Sequence, residues 1–168
     1  GYVMLSWDDD ADKLTRDPFL GNINDFEGYK KITDSVEIKI IPSGNWVVDL
    51  QRFSEAIKNK IWSATRTDMA MIGGITNGKK AMDLSAAGGL NCEIMSWGYT
   101  LVSVANLHLM LSSNNCSYYE QPLPYETFEF GMDDVLRTNK DGYMHAPTKP
   151  GLGMKVNWDQ MKTKVLLQ

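Results

Sequence analysis

A strand exit recurs at nearly constant spacing through the middle of this chain, and that period limits the available folds more than any single motif. Short β-branched or aromatic runs lead to Asn45, Asp68, Met95 and Glu120, which lie 23, 27 and 25 residues apart. The strands expected are Gly1 to Trp7, Val36 to Ile41, Ile61 to Thr65, Leu90 to Met95 and Cys116 to Glu120. Between them lie helical apolar spacings: a short helix with Asp25 as N-cap, a helix capped by Asp49 with the stripe Leu50, Phe53 and Ile57, a helix from Thr76 to Gly88 stopped by Gly88-Gly89, and an apolar helix from Tyr99 to Leu111. Strand and helix alternating at this length describe successive right-handed βα units on a parallel sheet. Three of the four exits carry an acid or an amide oxygen where an ordinary loop needs none. Asp68 is the most informative, because a carboxylate at a strand's C-terminal end is where α/β barrels place their chemistry, and Gly73-Gly74 behind it lets the backbone turn sharply.

The rhythm stops at Gln121-Pro-Leu-Pro124, which divides the chain into a partial barrel over 1–124 and a tail over 125–168 that packs on the barrel or on a capping domain. Within the tail, Phe128 to Leu136 reads as a short irregular element, Asp141-Gly-Tyr143 as a turn, and Met154 to Leu167 as a closing strand or helix. Ala146 to Gly153 holds too much Pro and Gly for regular structure.

Charge narrows the partners. The 168 residues carry a net charge of −4 with no basic run beyond Lys30-Lys31 or Lys79-Lys80, which argues against nucleic acid and anionic membrane. No apolar run reaches the roughly 18 residues of a membrane span, and the N-terminus has no signal-peptide layout, so the expectation is a soluble, cytoplasmic protein. Cys92 and Cys116 read as two reduced thiols rather than a disulfide, and neither His108 nor His145 belongs to a Cys/His metal cluster. Asp8-Asp9-Asp10 reads as a solvated loop or helix start, and Asn115-Cys116-Ser117 as a glycosylation pattern in form only. Trp46 and Trp97 fall in exit loops, with core packing the expected role over a pocket wall.

Five motifs in order then carry a resemblance: Asp68-x4-Gly73-Gly74-Ile75-Thr76 before a helix, Met95-Ser96-Trp97-Gly98, Ala105-Asn106-Leu107-His108, Tyr119-Glu120-Gln121 and Pro150-Gly151-Leu152-Gly153. From about Asp17 onward the chain resembles the C-terminal part of enolase-superfamily enzymes of the mandelate racemase and muconate lactonizing branch. The resemblance implies an α/β fold, the C-terminal portion of a modified (β/α)8 barrel with an irregular tail. It also implies one Mg²⁺ and abstraction of the proton α to a carboxylate, with the metal stabilising the enediolate. By that resemblance Asp68 and Glu120 are catalytic: Asp68 as the acid that pairs with a histidine of the next strand in a base dyad, Glu120 as the last-strand acid that, when protonated, hydrogen-bonds the substrate carboxylate. Asn45 stands where the third metal ligand belongs.

The chain departs from the pattern at two places. Met95 stands where many dehydratases of the branch have histidine, and Arg16 falls where a metal carboxylate is expected. The strands that would bring the lysine base and the first metal ligand have no counterpart here. The expected activity is therefore that of a fragment of a Mg²⁺-dependent acid-sugar dehydratase. Racemase, epimerase or cycloisomerase chemistry and a non-catalytic half-barrel are the alternatives. Five strands would leave two unpaired edges, so the expected partners are the missing N-terminal half or another copy of the chain, in a homo-oligomer, with a small carboxylate as substrate.

Overall fold

The structure is a computed structural model, and it describes residues 2–5, 25–42 and 48–164. Strand β1 (Tyr2–Leu5) runs parallel to β2 (Lys39–Pro42), with Tyr2 opposite Lys39, and β3 (Thr65–Thr67) runs parallel to β4 (Cys92–Ile94), with Arg66 opposite Glu93. One serine joins the two pairs: Ser63 donates its N–H to Ile40 O at 2.9 Å, and its Oγ accepts from Ile40 N at 3.0 Å. Past β4, Cys92 N donates to Asn115 O at 2.7 Å and draws residues 115–120 alongside. The strand exits therefore follow one another in chain order, as the period requires.

Helices α1 (Phe26–Ser35), α2 (Leu50–Lys58), α3 (Ile75–Ala87) and α4 (Thr100–Leu111) lie between successive strand exits and entries. Their starts follow the local rules. Asp25 Oδ1 accepts from Gly28 N at 2.9 Å and Asp49 Oδ1 from Gln51 N at 2.7 Å, each satisfying an amide that the first helical turn leaves unpaired. The main core packs Phe53, Ala56, Trp62, Met82 and Leu109 of these helices and loops against Ile40, Cys92 and Ile94 of the strands. Close packing reaches Gly78 on α3, where an added Cβ would meet Leu109 Cδ2 at 2.5 Å.

After a single turn, α5 (Tyr125–Phe128), the tail folds back on α4. Val104, Leu107 and Leu136 form a second cluster, with Met144, Leu152 and Met154 packed against it. A bridge between Met132 and Val156 closes the tail on itself before the last helix, α6 (Trp158–Lys162). No helix among the described residues is long and apolar enough to cross a membrane.

Two strand assignments change. Ile61 to Ala64 is not strand: Ile61 N donates to Ala56 O, so these residues continue the turn out of α2, and the strand begins at Thr65. A short apolar run reads alike as strand or as buried connection, because burial on all sides removes the period that separates them. Cys116 to Glu120 runs beside β4 without joining it as a regular ladder, since side chains supply its rungs. Asn45, Trp46, Arg16 and Asp8 to Asp10 lie outside the described residues.

Candidate functional site at the strand exits

Side chains alternate along a strand, so Arg66 and Asp68, two apart on β3 and its exit, share a face, and Glu93 opposite Arg66 belongs to the same face. The neighbours Thr65, Thr67, Cys92 and Ile94 are buried, with Cys92 and Ile94 in the core shared with the helices.

Asp68 is 3% exposed. Its Oδ1 accepts from Ala70 N at 2.7 Å and from Asn106 Nδ2 at 3.1 Å, and its backbone oxygen accepts from Ile72 N at 2.9 Å. One carboxylate oxygen thus caps the turn that leads to Gly73 and Gly74, whose φ angles of 91° and 106° favour glycine. Asn106, the fully buried polar residue on apolar α4, ties the exits together. Its Nδ2 also donates to Met95 O at 3.0 Å, and its Oδ1 accepts from Met69 N at 3.0 Å. Asp68 therefore has an amide partner from the helix where the resemblance puts an imidazole from the next strand.

Glu120 is held on the far side of the same network. Its backbone N–H donates to Ser96 Oγ at 2.7 Å, and Ser96 Oγ donates to Glu120 O at 3.1 Å. Its carboxylate forms an ion pair with the Arg66 guanidinium, whose side chain is only 6% exposed. A continuous path therefore runs from Asp68 through Asn106, Met95 and Ser96 to Glu120. Glu93, also 3% exposed, is spent otherwise: Oε2 accepts from Ser117 N at 2.9 Å and Tyr118 N at 3.2 Å, and Oε1 from Asn91 Nδ2 at 2.9 Å.

Both thiols are free, and burial pushes Cys92 up to about 11 and Cys116 up to about 12, which keeps them protonated and unreactive at neutral pH. His108 Nε2 meets Leu152 O at 3.2 Å and fastens the tail. Trp97 is half exposed rather than in the core. Its ring stands edge-on to Phe128 at 5.0 Å.

The donor set of the described residues does not fit a Mg²⁺ site. No three of their His, Cys, Asp or Glu residues could hold a metal ion together, and a guanidinium sits on Glu120, where it opposes a second cation.

Sequence reading missed Arg66, Ser96 and Asn106. Two of them had a signal: Arg66 as a charged residue between β-branched neighbours in a strand, and Asn106 as an amide in the middle of an apolar helix, whereas Ser96 is an ordinary loop serine.

A family model described as enolase C-terminal domain-like matches residues 17–160. The chain belongs to that family. It is 38% identical, with a TM-score of 0.83 over 86% of its length, to a crystal structure from Pseudovibrio sp. provisionally described as a mandelate racemase/muconate lactonizing enzyme. D-glucarate dehydratase from Agrobacterium tumefaciens, solved with magnesium, matches 91% of the chain at 26% identity and a TM-score of 0.75. A D-galactonate dehydratase family member from Pantoea ananatis is 32% identical over 126 residues, 70% of this chain. The fold is thus a portion of the modified (β/α)8 barrel of the enolase superfamily. The chain spans 28% of that curated relative and 38% and 41% of the two solved structures.

Proposed function

We propose that this chain supplies the last strand exits of an acid-sugar dehydratase of the enolase superfamily, an enzyme that removes the proton α to a carboxylate. One observation carries the reading: in a chain of this family, the acids Asp68 and Glu120 stand on the exits either side of Met95, joined across it by the Asn106 and Ser96 hydrogen bonds. The relatives named as galactonate and glucarate dehydratases support a polyhydroxy acid as the substrate class. Asp68 is the group to accept or relay the proton, and Glu120 faces the substrate. The rest of the barrel, or a second copy, completes the pocket. Asn45 is this chain's candidate ligand for Mg²⁺, with the remaining ligands coming from outside the described residues.

The second reading, a scaffold without catalysis, draws on Met95. A buried thioether occupies the place of the dyad histidine, and Asp68 already has Asn106 as its partner.

The two readings separate in D₂O. The chain, combined with the complementary half of the barrel, is incubated with Mg²⁺ and D-galactonate or D-glucarate, and the α-hydrogen is followed by proton NMR alongside calorimetric Mg²⁺ titration. The dehydratase reading expects Mg²⁺ binding and α-exchange that Asp68→Asn slows at least 100-fold, in line with loss of a general base. Absence of both Mg²⁺ binding and exchange would establish the scaffold instead.

A further inference from the structure

We propose that Arg66 and Ser96 are positioning residues that clamp Glu120 from two sides, Ser96 by its backbone and Arg66 by its carboxylate. Residues 115–120 lack a regular ladder to β4, so the last exit has no strand pairing to set the orientation of its acid. Ser96 supplies what the ladder does not. Its fully buried hydroxyl accepts the Glu120 N–H at 2.7 Å and donates to the Glu120 carbonyl at 3.1 Å, the two bonds that an adjacent strand would otherwise provide. Ser96 is itself fixed, because Ser103 Oγ donates to the carbonyls of Ser96 at 2.7 Å and Gly98 at 2.9 Å.

On the other side, Arg66 rises from β3 with a buried guanidinium. A buried guanidinium needs a carboxylate, since desolvation without a partner costs several kcal/mol. Glu93 faces it in register but gives its oxygens to Ser117 N, Tyr118 N, Asn91 and the Cys116 thiol. Among the described residues Glu120 is the acid left to pair with Arg66, and Arg66 Nε has no acceptor there. Glu120 is therefore held in one orientation, by its backbone through Ser96 and by its side chain through Arg66.

The inference rests on reading Glu120 as a site residue, but its test uses no ligand and so stands or falls separately from the dehydratase proposal. Amide hydrogen exchange and guanidinium NMR are recorded on the whole chain and on S96A, S96T, R66K and E120Q. S96A is expected to speed exchange at the Glu120 amide roughly tenfold, the worth of one hydrogen bond, and S96T to restore it. The Cys92 and Met95 amides, bonded to Asn115 O and Thr67 O, serve as controls for global opening and are expected to hold. Arg66 is expected to show resolved, slowly exchanging Nη protons that E120Q abolishes and R66K, which has no guanidinium, lacks from the outset. An unchanged Glu120 amide in S96A, or Arg66 signals indifferent to E120Q, would overturn the clamp.

Discussion

Asn106 shows how one side chain can hold two strand exits. It makes three hydrogen bonds from a fully buried position, to Asp68, to the Met95 carbonyl and from the Met69 amide. Removing it leaves a buried carboxylate oxygen short of a donor and two backbone groups short of partners, and each orphan costs about 1–3 kcal/mol. Asn106→Ala is therefore expected to destabilise the chain by about 3 kcal/mol, measured as the shift in the urea midpoint at unchanged slope. A loss under about 1 kcal/mol would mean that solvent or a neighbour replaces the amide. At this scale the acids were legible and their partners were not. Asp68 and Glu120 stand out because a carboxylate before a Gly-Gly turn, or at a strand end, is conspicuous in one dimension. Asn106 and Arg66 become site residues only when α4 brings Asn106 to Asp68 and the Met95 carbonyl, and the Arg66 side chain reaches past β4 to Glu120.

At the scale of elements, the helices were the readable part. Asp25 and Asp49 cap where the pattern puts them, and α3 and α4 start and stop within a residue or so of their expected ends, because caps and apolar stripes are local. The strands were less readable. β3 and β4 hold three residues each, buried throughout, so neither shows the alternation that marks a half-exposed strand. The last exit is held by Glu93 instead of a ladder, with two backbone amides on one carboxylate oxygen. Glu93→Gln keeps the volume but replaces one acceptor oxygen by an amide NH2 that can only donate, and charge-assisted bonds are about twice as strong as neutral ones. The expected outcome is faster amide exchange confined to residues 115–120 and a stability loss of about 2 kcal/mol. Opening spread evenly over the whole chain would show that Glu93 acts on the core rather than on that segment.

At the scale of the molecule, among the described residues β1 pairs only with β2, and residues 115–120 pair only with the β4 side, so the sheet has two open edges. Open edges and a half-enclosed interior favour association, either with the remainder of a barrel or with a second copy. Sedimentation over a range of concentrations is expected to show self-association of the chain, reversed when the complementary barrel half is supplied. A monomer at all concentrations with one sharp thermal transition would remove the need for either partner.

Periodicity and caps determined the order of elements, and five short motifs carried the resemblance to the family, because these depend on residues near one another in the chain. The pairing of Arg66 with Glu120, of Asn106 with Asp68 and of Ser96 with the Glu120 backbone was decided only by the tertiary structure. The partners lie 54, 38 and 24 residues apart, and nothing local at either end selects its opposite until packing brings them within hydrogen-bond reach.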